Sequence, residues 1–117
     1  MVKEIKPIPL ELLGDKATYL SIEKDRWGDE VTSETELSNV LIQSQNKIER
    51  RYTQQINNES DSNKLLLFFD AVNSKPNGFN FEVDDKIKYE GKEYRVAEVE
   101  KVKAFRSVVH HLEVVLE

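Results

Sequence analysis

The 117-residue chain carries two histidines, and they are neighbours: His110 and His111 sit in the closing stretch "SVVHHLEVVLE", with Glu113 two positions on. Imidazole beside carboxylate is the raw material of a zinc site or of acid–base catalysis. Zinc takes three or four protein ligands, and the sequence offers no third histidine and no cysteine. A strand sends adjacent side chains to opposite faces. The two rings are therefore expected to diverge, leaving His111 on one face with Glu113. The stretch reads as a strand, with one imidazole tucked against aromatic neighbours and the other facing solvent or a partner subunit. No metal and no cofactor is expected.

Asp84-Asp85 is the next candidate. Paired carboxylates catalyse when their surroundings push their acidities apart. No nucleophile and no glycine-rich phosphate loop accompanies this pair, and Asp at the mouth of Lys86-Ile87-Lys88 fits turn chemistry. A metal-dependent enzyme would have to combine His110 and His111 with Asp84 or Asp85, and the expectation is that the protein is not an enzyme. Arg50-Arg51-Tyr52 is the one basic–aromatic cluster. Guanidinium pairs well with phosphate, but two charges on a polar stretch equally suit a solvated loop tip. Trp27 stands beside Gly28 in a turn, either as an exposed interface anchor or folded over the end of a barrel.

Acid outnumbers base by 22 to 17, for a formal net charge of −5. Proteins that wrap duplex DNA show the opposite balance, concentrated on one face. An acidic surface past which DNA slides without sticking is compatible with these numbers. Without cysteine there are no disulfides and no thiolate metal sites. No signal peptide is visible, and the longest apolar run, Leu65 to Phe69, is far too short to span a membrane. The protein is expected to be soluble, made in the cytoplasm and without membrane contact.

These residues sit in a chain of β character, expected to form a single domain over 1–117. Residues 1–14 hold two prolines and read as a lead-in with one helical turn near Pro9 to Leu13. Asp15 to Glu23 alternates as a first strand, and Asp25 to Glu30 follows as a turn with Gly28 left-handed. Residues 31–45 fit two readings. Ser33 and Glu36 have capping-box spacing, and Leu37, Val40, Leu41 and Ile48 fall on a helical stripe. Against this, Asn39 to Gln43 has a β-rich centre, and a strand over about 36–44 is favoured. Lys47 to Asn63 is a long polar stretch with almost nothing to bury, expected to be a mobile loop. Leu65 to Phe69 has apolar side chains on both faces and predicts a strand buried on both sides. Phe79 to Val83 leads into Asp84-Asp85, then the hairpin around Glu90-Gly91, a strand over Lys92 to Val102 with a bulge near Ala97, and a closing strand at Leu112 to Leu116. Short strands with turns between them point to a small barrel or sandwich with at most one short helix.

Three blocks carry a resemblance: "LLLFFDAVNSKP" (Leu65 to Pro76), "DKIKYEGKEYRVAEVEKV" (Asp85 to Val102) and "HHLEVVL" (His110 to Leu116). With the opening "IPLELLGDKATYLSIEKDRWGDE" (Ile8 to Glu30), the chain resembles the minor capsid proteins of tailed bacteriophages and of prophages of Gram-positive bacteria. The resemblance implies a compact antiparallel β-barrel with long loops. It also implies a place in the virion neck, as a head-closure or adaptor ring between head and tail, assembled in the bacterial cytoplasm. Implied partners are a portal-side adaptor, a tail-side completion protein, further copies of the chain in a ring, and packaged DNA in transient contact. By analogy of segment position, Lys47, Arg50, Arg51, Tyr52, Gln54 and Gln55 would belong to a loop projecting into the channel. A ring needs two different patches on each subunit, for which Trp27, Phe79, Phe81, Phe105 and His110 are candidates. The alternative is a small barrel binding single-stranded nucleic acid, which would need a basic groove with aromatic platforms.

Overall fold

The computed structural model describes residues 6–44, 64–105 and 108–117, with Phe105 described in its backbone alone. A 3₁₀ turn over Leu10–Leu12 precedes six strands: β1 (Asp15–Lys24), β2 (Glu30–Ser44), β3 (Leu65–Asp70), β4 (Lys86–Tyr89), β5 (Lys92–Phe105) and β6 (Val108–Leu116). All neighbours are antiparallel, and the order β1-β2-β3-β6-β5-β4 closes on itself as a barrel. The mainly β, barrel-forming expectation is met. Of the N-terminal leucines, Leu13 is buried, whereas Leu10 and Leu12 remain exposed.

The helix-like spacing in residues 31–45 has a strand explanation. Leu37 and Val40 lie three residues apart, yet both are fully buried. The β1–β2 register slips between Asp15↔Val40 and Ala17↔Leu37, and Asn39 sits at φ 54°. This bulge resets the alternation, so an i, i+3 pair faces one side of a sheet. The same device operates at Ala97. The register shifts between Val96↔Leu116 and Glu98↔Val115, and Val96 and Val99 both pack on the core. At the β4–β5 turn Glu90 and Gly91 take φ values of 49° and 79°. Positive φ at both central residues is the turn geometry that matches strand twist, and glycine takes it without strain.

Leu37, Val40, Leu67, Ile87, Val96, Val114 and Leu116 fill the barrel interior. β3 differs from its expectation of two buried faces: Leu67 and Phe69 are buried, but Leu66 and Phe68 on the outer face are half-covered. Phe68 gains its cover from the His111 ring, 5.8 Å away. Residues 79–83 form no strand. They cross one end of the barrel, where the rings of Phe79 and Phe81 meet Tyr19 edge-on at 4.8 and 5.4 Å. Aromatic packing and loop hydrogen bonds hold this segment in place of a ladder.

β1 and β2 outlast the barrel. β4 covers β1 only at 18–20, and β3 covers β2 only at 40–44. The remaining lengths form a two-stranded arm, capped by the Asp25–Gly28 turn. There the Asp25 carboxylate accepts the Trp27 and Asp29 amides at 2.9 Å each.

Candidate functional site

The histidine pair is rearranged by a third irregularity. Between Val102↔His111 and Lys103↔Val109 the β5–β6 register slips at His110. The two imidazoles do not diverge as alternation predicts. Their Nδ1 atoms lie 2.8 Å apart, with ring centroids at 5.0 Å. His110 Nε2 is 2.8 Å from the Lys6 carbonyl, and His111 Nε2 is 2.9 Å from Glu113 Oε2. The bonds form one line. A carbonyl only accepts, so His110 Nε2 donates to Lys6, and one Nδ1 donates to the other. This line fastens the N-terminal segment to β6.

Both Nδ1 atoms are engaged with each other, which leaves no convergent lone pairs for an ion. Among the described residues no cluster of three or more His, Asp or Glu could hold a metal. Zinc added during an NMR titration is expected to leave the histidine ring signals in place. Shifts of both rings at stoichiometric zinc would contradict this geometry.

Asp84 and Asp85 are separated in function by the turn. Asp84, at φ 79°, ion-pairs with Arg95 at 2.7 Å, and Arg95 reaches Glu117 at 2.8 Å. Asp85 turns to the aromatic end of the barrel and accepts the Tyr19 hydroxyl at 2.6 Å, while the Tyr19 oxygen accepts the Glu82 amide at 2.8 Å. Burial, reinforced by Asp85, pushes the Tyr19 phenol well above its ordinary value. A phenol held protonated between a carboxylate and an amide is a lock rather than an acid or base. It lines a groove of about 300 Å³ together with Ser21, Thr35, Phe79 and Asn80.

Tyr19→Phe keeps the ring and orphans both partners, which should lower stability by about 1–3 kcal/mol in urea unfolding. It should also alter the alkaline limb. The unfolded phenol ionises near about 10, below the folded value. The unfolded chain therefore loses its proton first, and stability falls as pH rises from there toward the folded value. Tyr89, raised by burial as well, contributes in the same sense. The Tyr19→Phe protein should show a shallower decline.

The best-satisfied polar cluster was not among the sequence candidates. Asp70 and Ser74 are both fully buried. Asp70 Oδ1 accepts the Ile8 amide at 2.9 Å, and Oδ2 accepts the Val72 and Asn73 amides at 2.9 and 2.8 Å. The Asp70 amide donates to Ser74 Oγ at 2.8 Å, and the Ser74 hydroxyl donates to the Asn39 carbonyl. Asn73 Nδ2 donates to the Ile8 carbonyl at 2.8 Å, and Asn39 Nδ2 to the Asn73 carbonyl at 3.2 Å. The bulge in β2, the turn after β3 and the N-terminal segment are thus tied at one point. The legible signal was Asp closing an apolar strand, with Asn and Ser three and four residues later, a pattern made for side-chain-to-backbone turns.

Of the surface candidates, Trp27 is 77% exposed at the tip of the arm, with the Arg26 guanidinium 5.5 Å from its ring centroid. Phe81 is 8% exposed and Phe79 half-buried, so both rings spend most of their surface inside their own subunit. His110 is half-buried in the line to Lys6. Lys47, Arg50, Arg51, Tyr52, Gln54 and Gln55 lie outside the described residues, as does the side chain of Phe105.

No catalytic constellation emerges from these groups. Every carboxylate or imidazole singled out is spent on holding a loop, a turn or a terminus. Curated proteins give no match to the chain. The family model for minor capsid proteins, by contrast, matches residues 9–116, which takes in the 3₁₀ turn, all six strands and the Tyr19–Asp85 lock. A fold in which polar groups fasten rather than react suits such a role, and the chain belongs to the minor capsid protein family, the structural proteins of virions.

Proposed function

We propose that this minor capsid protein works at the neck of a tailed phage, as one subunit of a head-closure or adaptor ring around the DNA channel. The observation that carries the reading is the pairing of Ser44 with Leu65 at the ends of β2 and β3. The chain therefore leaves β2 at Ser44 and enters β3 at Leu65 on a single rim of the barrel. A ring that sets these rims toward its axis would present Arg50, Arg51 and Tyr52 to packaged DNA. The net charge of −5 suits a conduit that DNA must leave quickly. Its neighbours would be a portal-side adaptor and a tail-side completion protein.

Electron microscopy of particles lacking the gene tests this. DNA-filled or leaking heads without tails are expected, together with label at the neck in complemented particles. Tailed, infectious particles, or label spread over the shell, would overturn the neck assignment. Titration with single-stranded DNA at physiological salt should give dissociation constants weaker than about 10⁻⁴ M. Tighter, salt-sensitive binding would favour a nucleic-acid-binding barrel instead.

A further inference from the structure

We infer that the histidine pair is an acid-operated clasp: it holds the N-terminal segment on β6 while the two rings share three protons and lets it go when they take up a fourth. The inference does not rest on the neck reading. Three contacts run along the four ring nitrogens: His110 Nε2 to the Lys6 carbonyl, Nδ1 to Nδ1, and His111 Nε2 to Glu113. Each contact needs one N–H, and neither a carbonyl nor an ionised carboxylate supplies it. All three are made when the pair carries three ring protons, hence one positive charge facing the Glu113 carboxylate. The middle proton can sit on either Nδ1. With two protons one contact lapses, but His110 can still donate to Lys6. With four, Nδ1–H faces Nδ1–H at 2.8 Å, and two cations in contact must part.

His111 is the better held of the two. Its side chain is 14% exposed, lies against the Phe68 ring at 5.8 Å and donates to a carboxylate. His110 holds only a neutral carbonyl at its far nitrogen. An ion pair outlasts a bond to a neutral acceptor, so His110 is the ring that swings, and Lys6 loses its donor. Ile8 stays bound, through its amide to Asp70 and through its carbonyl to Asn73. The segment therefore opens about Ile8, and Pro7 between them brings no N–H to replace the lost bond.

Among the described residues, charged groups reach the pair from each neighbouring element. Glu113 lies on β6, Glu100 opposite it on β5, and Asp70 opposite His111 on β3. Lys101 and Lys103 flank Val102, which pairs with His111, and Lys6 lies on the segment itself. Acids and lysines are equal in number here, and Asp70 is spent on backbone amides. The Nδ1 contact, rather than the surrounding field, therefore sets how many protons the closed clasp holds. The open form binds one proton more than the closed form, so acid favours opening. Imidazoles ordinarily change charge between about pH 8 and about pH 5, above the usual carboxylate range.

NMR on the isotope-labelled full chain tests this across that same pH range. Long-range proton–nitrogen spectra count the ring protons, and the Lys6 carbonyl carbon shift reports its hydrogen bond. The Lys6 signal should hold still while the third proton arrives and move with the fourth. Over that second step the Lys6 amide order parameter should fall from about 0.85 to below about 0.6, while that of Ile8 stays high. In His111→Gln no second cation forms beside His110, whose Nε2 keeps its proton, and the acid step at Lys6 should vanish. His110→Gln, which has nothing to titrate at that position, should show no acid step either. The inference is overturned if the fourth proton binds with Lys6 still fastened, if Lys6 loosens with the third, or if either variant keeps the acid step. The wild-type titration decides the matter even where a variant fails to fold.

Discussion

Replacing Asp70 with alanine should lower the unfolding free energy by about 4 kcal/mol, and the melting temperature by roughly 15 °C. Three backbone amides lose a charged acceptor, and the site is fully buried, so little water can substitute. Hydrogen bonds to charged groups are individually worth about 1.5–3 kcal/mol. Asp70→Asn separates the parts. The amide oxygen can still serve Val72 and Asn73, but its NH₂ then faces the Ile8 amide, donor against donor. About half the loss is expected, with residues 6–9 newly open to limited proteolysis. Guanidinium unfolding and a protease time course check both. An Asp70→Ala protein as stable as its parent would mean that the tie between Ile8, β2 and the β3 turn is redundant.

Leu67→Ala should cost about 3–5 kcal/mol. Leu67 is fully buried at the centre of β3, with β2 on one side and β6 on the other. A rigid closed barrel has little freedom to collapse around the lost methyl groups, and the cavity adds to the transfer loss. Leu66→Ala, one residue away on the half-covered outer face, should cost half as much or less. The contrast reads the period of the strand directly. Equal losses at both positions would restore the expectation that β3 is buried on both faces.

How much of this was legible follows from where the hydrophobic signal lives. β1 shows its alternation from Asp15 onward because Ala17 and Tyr19 are buried while Lys16 and Thr18 beside them are polar. The bulge at Ala97 was readable because Val96 and Val99 break the alternation on either side of it. β2 was expected only from about 36, although it starts at Glu30. Residues 30–35 bury no face fully, and their one apolar residue, the exposed Val31, marks neither period. The capping-box pair Ser33 and Glu36 lies within that arm and caps nothing. The spacing of the histidines identifies the strand but not their shared side, because a one-residue slip opposite Val102 and Lys103 leaves no trace in it. Asp70 is hidden for a similar reason. A carboxylate fastening three amides looks, in sequence, like any acid at the end of a strand.

The seam between β1 and β4 holds by three residue pairs, against nine between β1 and β2. A cylinder strained sideways parts along the joint with the fewest rungs, so any outward thrust on this subunit would concentrate there. Tyr19 lies opposite Ile87 within that joint, and its hydroxyl reaches across to Asp85. One phenol therefore acts as the rivet of the stave where rupture would begin.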